Sequence, residues 1–180
     1  MALTFLIGGA RSGKSALAVG LGARHDGPVT YVATAPALDD DMARRIERHR
    51  RERPPAWTTI EEQLDLAGAL ERAAGSMVIV DCLTLWVSNL LEAGHDDEHI
   101  LEIAGSTARL AGERHAATVA ISNEVGLGVH PTTELGRRYR DLLGRVNQCW
   151  AAQADPALLL VAGRAVPLTD PYRFLMGASG

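Results

Sequence analysis

Lysine is almost missing from this chain: Lys14 stands alone against seventeen arginines in 180 residues. Cysteine is scarce too, and Cys82 and Cys149 lie far apart, a pattern that offers neither a disulfide framework nor a zinc site. Aromatic residues make up only 4 %, and they do not interleave with the basic residues as a surface for single-stranded nucleic acid requires. Positive charge is not in excess, the net charge being −4, which removes the global case for a nucleic acid or an anionic membrane as partner. No apolar run reaches the roughly 20 residues that span a membrane. The first residues enter a strand-like run with no basic-then-apolar leader. One soluble cytoplasmic domain over residues 1–180 is therefore expected.

The one lysine stands in Gly8-Gly9-Ala10-Arg11-Ser12-Gly13-Lys14-Ser15, the pattern G-x-x-x-x-G-K-[ST] of a phosphate-cradling P-loop. An ammonium on a flexible stem is a point charge, whereas a guanidinium is a bulky planar fork, so the two are not exchangeable there. Glycines let the loop turn backbone N–H groups inward, and the following helix adds the positive end of its dipole. Lys14 is placed to reach the outer phosphates and the Ser15 hydroxyl to ligate Mg²⁺. The context agrees: Leu3-Thr4-Phe5-Leu6-Ile7 reads as a strand, and Ala16-Leu17-Ala18-Val19 opens a helical pattern.

Further apolar, β-branched runs occur at Val29–Ala33, Met77–Asp81, Ala117–Ser122 and Ala157–Val161, with a weaker one at Ala165–Leu168. Helical patterns fall near 14–24, 39–53, 62–74, 83–93, 97–114 and 132–153. This alternation predicts an α/β fold, a mainly parallel sheet with helices on both faces. The last two runs are too close for a helical crossover, so an edge strand is expected to be antiparallel.

Met77-Val78-Ile79-Val80-Asp81 reads as a second nucleotide-binding element, a buried strand that ends in a carboxylate able to hold Mg²⁺. In the segment 38–53, Leu38, Met42, Ile46, His49 and Arg53 share one helical face. Nearby guanidinium groups disfavour imidazolium, which leaves His49 neutral and nucleophilic, while Arg50 and Arg53 are suited to triphosphate oxygens. The plainer alternative is a half-buried histidine on a basic helix. Trp57 and Glu61 suit a purine or ribose, or equally core packing and surface charge. Ser122 to Pro131 follows a strand at the carboxyl edge of the sheet, where Asn123 and Glu124 could meet a substrate hydroxyl or a metal-bound water.

Six stretches together resemble one family: Gly8 to Ser15, Tyr31-Val32-Ala33-Thr34-Ala35, Asp39 to Arg53, Asp81-Cys82-Leu83-Thr84, Asn123 to Gly128, and Gly144-Arg145-Val146-Asn147-Gln148. The chain is similar to the bifunctional adenosylcobinamide kinase/adenosylcobinamide-phosphate guanylyltransferase of cobalamin biosynthesis, from residue 4 to about 168. The resemblance implies a RecA-like P-loop fold and two reactions. A nucleoside triphosphate, ATP or GTP, first phosphorylates the aminopropanol hydroxyl of adenosylcobinamide; GMP from GTP then passes through a histidine to that phosphate. On matching positions His49 is the guanylylated residue and Lys14 acts beside it. Gly8, Gly9, Ala10, Arg11, Ser12, Gly13, Lys14, Ser15, Ala33, Thr34, Ala35, Arg50, Arg51, Glu52, Arg53, Glu61 and Asp81 contact GTP, with Ser15 and Asp81 on Mg²⁺. Asp41 stands where the family usually has Glu. The resemblance also implies a homotrimer with a small corrinoid as substrate. The competing readings are a simple P-loop small-molecule kinase and a RecA-like nucleotide-dependent switch.

Overall fold

The computed structural model describes residues 3–36 and 53–176. Seven strands form one sheet: β1 (Leu3–Gly8), β2 (Val29–Ala33), β3 (Thr58–Glu61), β4 (Met77–Asp81), β5 (Thr118–Asn123), β6 (Ala157–Val161) and β7 (Arg164–Pro167). The helices are α1 (Lys14–Gly22), α2 (Leu66–Arg72), α3 (Leu83–Glu92), α4 (Asp97–Glu113), α5 (Glu134–Gln153) and α6 (Pro171–Met176). The spatial order is β3-β2-β4-β5-β1-β6-β7. Neighbours run parallel except β6 and β7, which are antiparallel at the edge. The antiparallel edge follows from the two residues that join those strands, a connection that only a hairpin can make.

Successive residues of a strand face opposite ways, so the central strands supply two cores. Leu3, Phe5 and Ile7 of β1 pack with Val78 and Val80 against helices α2 to α5, where Leu70, Trp86, Ile100 and Trp150 are buried. Leu6 of β1 turns the other way and joins Ala18 of α1, Tyr31, Ile79, Val119, Ile121 and Leu160. Both faces of β4 are covered, which is why its sequence reads as an unbroken apolar run rather than an alternation.

The predicted strands all exist. Differences concentrate in the short elements. The helix expected over 62–74 occupies only Leu66–Arg72, because the Asp65 carboxylate accepts from Gly68 N and sets the start. Strand β3 was not expected; it is a four-residue edge strand with no fully buried side chain, so no apolar run marks it. The predicted helix 39–53 lies outside the described residues except for Arg53.

Candidate functional site

The loop from Gly8 to Ser15 joins β1 to α1 at the carboxyl edge of the sheet. Gly13 adopts φ 104°, a left-handed conformation that favours glycine, and a Cβ there would sit 3.3 Å from Gly163 Cα. At Gly8 a Cβ would run into the Leu160 carbonyl of β6. Both glycines thus answer the same neighbour, the β6–β7 hairpin, whose Gly163 N–H donates to the Ser12 carbonyl at 2.9 Å. Lys14 is only 6 % exposed. Its ammonium donates to the Gly8 and Gly9 carbonyls at 2.8 and 2.7 Å and to Ser12 Oγ at 3.3 Å, which holds the loop in a ring around it. Burial pulls its pKa below the usual 10.5, with the Asp81 charge opposing. Helix α1, like α3, has no side-chain N-cap, whereas α2, α4 and α5 are capped by Asp65, Asp96 and Thr133. Its first N–H groups are therefore left for an anion.

Asp81 ends β4, two strands away from β1. Ser15 Oγ donates to Asp81 Oδ2 at 3.2 Å, so the two oxygen ligands proposed from the sequence do meet. A second donor converges on the same oxygen: the Tyr31 hydroxyl, at 2.5 Å. Register explains it. Ala33 pairs with Asp81, and Tyr31, two residues earlier on β2, shares that face. Ala33 also pairs with Glu61 on β3, so Glu61, Ala33 and Asp81 form one row on the α1 side of the sheet. The Arg53 guanidinium lies over the Tyr31 ring, 3.8 Å from its centroid, and donates to Thr59 Oγ1 at 3.3 Å.

Thr34 is fully buried at the strand tips. Its hydroxyl donates to Cys82 O at 2.7 Å and accepts from Cys82 N at 2.8 Å, while Asn89 Nδ2 donates to Thr34 O at 2.8 Å. Thr34 thereby clasps the residue after Asp81. Burial pushes the Cys82 thiol up to about 11, so it stays neutral. Beyond β5, Glu124 N donates to Gly8 O at 3.1 Å, tying that turn to the P-loop. Asn123 N donates to Thr84 Oγ1, and the buried Asn147 links Ser122 Oγ to Asn123 O. The Glu124 carboxylate accepts from Gly126 N within its own turn.

The structure thus brings together Gly8 to Ser15, Ala33, Asp81, Glu61 and Arg53 along one sheet edge. His49, Arg50, Arg51 and Glu52 lie outside the described residues. Trp57 packs beside Gly22 and Ile79 on the α1 side, which is the core role weighed for it. Sequence reasoning gave no role to Tyr31, Asn89, Asn147 or Gly163. Tyr31 opens one of the resembling stretches, but its place two residues before Ala33 becomes meaningful only once β2 and β4 are in register.

The family model described as "Cobinamide kinase / cobinamide phosphate guanyltransferase" matches residues 4–168. The chain belongs to this family. Among curated proteins it is similar to "Bifunctional adenosylcobalamin biosynthesis protein CobP" of Pseudomonas aeruginosa, 44 % identical over 165 residues, 91 % of this chain and 95 % of that protein. It is also similar to "Bifunctional adenosylcobalamin biosynthesis protein CobU" of Salmonella typhimurium, 38 % identical over 181 residues, 92 % of this chain and 99 % of that one. The Escherichia coli protein of the same description is 38 % identical over 180 residues, with the same coverage. Among solved structures, flagellar accessory protein FlaH of Methanocaldococcus jannaschii matches with TM-score 0.51 at 15 % identity, covering 93 % of this chain and 77 % of that one. An ATPase of a bacterial type III secretion system matches with TM-score 0.52 at 12 % identity, covering 99 % and 54 %. These two likenesses carry the fold alone, a RecA-like P-loop sheet. The cobinamide kinase/guanyltransferase match covers every residue of the P-loop, the Asp81 strand and the Asn123–Gly128 turn.

Proposed function

We propose that a single nucleotide site on the α1 side of the sheet edge serves both reactions of this bifunctional cobinamide kinase and cobinamide phosphate guanylyltransferase. The observation that carries the reading is the meeting of P-loop and strand-end carboxylate, Ser15 Oγ to Asp81 Oδ2 at 3.2 Å, beside the buried Lys14. Two hard oxygen donors beside a phosphate cradle fit Mg²⁺. Ser15 and Asp81 would hold it, and there it would supply charge neutralisation on the phosphate oxygens.

In the first transfer the loop N–H groups from Gly9 to Ser15 and the Lys14 ammonium grip the nucleotide tail, ATP or GTP. The corrinoid hydroxyl attacks the γ-phosphorus, nucleoside diphosphate leaves, and the hydroxyl proton passes to solvent or a base. Positioning and charge stabilisation supply most of the acceleration such a transfer needs. In the second transfer neutral His49 attacks the α-phosphorus of GTP, pyrophosphate leaves, and the substrate phosphate then takes GMP from the imidazole to give adenosylcobinamide-GDP. Arg50, Arg51 and Arg53 neutralise triphosphate oxygens with Lys14, while Ala33, Thr34, Ala35, Glu52 and Glu61 flank the nucleoside. Chemistry at two different phosphorus atoms calls for two placements of the nucleotide relative to His49.

The partner is a small corrinoid rather than a nucleic acid, in keeping with the net charge of −4. The reaction is proposed for the cytoplasm, where nucleoside triphosphates are supplied; among the described residues no helix is long and apolar enough to cross a membrane. Self-association as a homotrimer is what the family resemblance implies, and the exposed apolar side chains at Leu127, Val129, Tyr172, Phe174 and Met176 are in keeping with self-association.

Product analysis with adenosylcobinamide and GTP tests the scheme. Lys14→Ala is expected to lose phosphorylation by at least about a hundredfold. His49→Ala is expected to stop at the phosphate. Formation of adenosylcobinamide-GDP by His49→Ala at the unmodified rate overturns the guanylyl-histidine step.

A further inference from the structure

We propose that Tyr31 is a positioning residue for the metal carboxylate, holding Asp81 in its ligating rotamer while Arg53 clamps the Tyr31 ring from the other side. The inference rests on the reading of Asp81 and Ser15 as the Mg²⁺ ligands.

Asp81 Oδ2 accepts from two hydroxyls, Ser15 Oγ at 3.2 Å and Tyr31 Oη at 2.5 Å. These donors have different futures. Ser15 sits on the P-loop helix and is itself a proposed metal ligand, so its bond to Asp81 is exchanged when the metal–nucleotide complex enters. Tyr31 is fixed in β2, 4 % exposed, with its ring in the α1-side core between Ile79 and the strand edge. Its bond can persist through that exchange. A carboxylate already restrained loses less rotamer freedom when it takes a cation, and partners one bond removed from a metal typically account for about 10–100-fold of its affinity.

The ring has a second contact that a packing tyrosine does not need. The Arg53 guanidinium stacks at 3.8 Å from the centroid. It thus lies on the face of the ring whose hydroxyl donates to Asp81 Oδ2.

The test measures binding, not turnover. Tyr31→Phe removes the hydroxyl and keeps the ring under Arg53. A fluorescent GTP analogue is titrated in EDTA and in graded Mg²⁺, and Mn²⁺ uptake is followed by electron paramagnetic resonance. Asp81→Asn and the double variant complete the cycle. The expected result is unchanged nucleotide affinity in EDTA, about a tenfold rise in the Mg²⁺ or Mn²⁺ concentration for half-saturation, and no further rise from Tyr31→Phe once Asp81 is Asn. Equal loss with and without metal overturns the inference, because a merely structural phenol acts on both. A Tyr31→Phe effect that persists in full on the Asp81→Asn background also overturns it. If Asp81→Asn shifts the metal dependence and Tyr31→Phe does not, the positioning role fails and the metal site stands. If Asp81→Asn shifts nothing, the metal reading itself fails and takes this inference with it. Should Tyr31→Phe not fold, Arg53→Leu frees the ring without altering the phenol, and an unchanged metal dependence there overturns the clamp.

Discussion

Lys14 occupies a buried slot between two carbonyls of its own loop, and that slot is shaped for a compact ammonium. A planar guanidinium cannot satisfy both carbonyls without opening the ring. Lys14→Arg is therefore expected to keep the charge and the overall fold but lose both transfers by about a hundredfold, read as kcat of the folded variant. A second residue-scale expectation concerns Glu62. Partial burial pushes its pKa up, but the N–H groups of Leu64 and Asp65 and the Arg72 guanidinium at 2.9 Å more than reverse this, leaving it below the usual 4.5. A carboxylate lowered by folding stabilises the protein above its unfolded pKa and loses that effect as pH falls through the folded value. Glu62→Gln should therefore be less stable than the parent near neutral pH. The gap in urea midpoints should close as pH falls below about 4.5, and a gap that stays constant to about pH 2.5 contradicts the assignment.

At the scale of elements, the β6–β7 hairpin does more than end the sheet. Its turn residues Ala162 and Gly163 both have positive φ, at 50° and 74°, as a tight two-residue connection demands. Gly163 N–H then reaches Ser12 O and braces the P-loop. Gly163→Val should strain the turn by about 1–2 kcal/mol and lower the thermal midpoint by about 3 °C. It should also raise the nucleotide KM several-fold, whereas unaltered nucleotide binding would show the brace to be idle. Arg114, just after α4, donates to the Leu70, Ala73 and Ser76 carbonyls and thereby closes the end of α2. Arg114→Leu is expected to cost about 3 kcal/mol in urea unfolding without a change in nucleotide affinity. The long or fully buried elements were legible in the sequence because periodicity speaks for them: Met77–Val80 is apolar throughout, and of the α5 face spaced as Leu135, Tyr139, Leu142, Val146 and Trp150, the last three are buried, Tyr139 is partly buried and Leu135 is exposed. The short edge strand β3 and the hairpin's hold on the P-loop were not. Thr58–Glu61 buries too little to leave a pattern, and the bond from Gly163 to Ser12 joins residues about 150 positions apart.

For the molecule as a whole, strand order converts scattered motifs into one site. β5 lies between β1 and β4, so the P-loop and Asp81 end up two strands apart, and Ser15 spans the gap. β2 and β3 extend the same edge with the row Ala33 and Glu61. The P-loop and the strand-end acid were readable from the chain because each carries its own signature, a glycine-rich turn and a carboxylate closing an apolar run. Their shared support by Tyr31 and Arg53 was not, since it depends on the register of β2 against β4. The proposed shared site requires this edge to present GTP to His49 as well as to the corrinoid hydroxyl. Incubation of the purified protein with GTP labelled at the α- or the γ-phosphorus, followed by denaturation, tests it most directly. Retained α-label, lost in acid as a phosphoramidate is, together with no retained γ-label and no label on His49→Ala, is the predicted result. Absence of α-label on the unmodified protein, or equal label on His49→Ala, would contradict it.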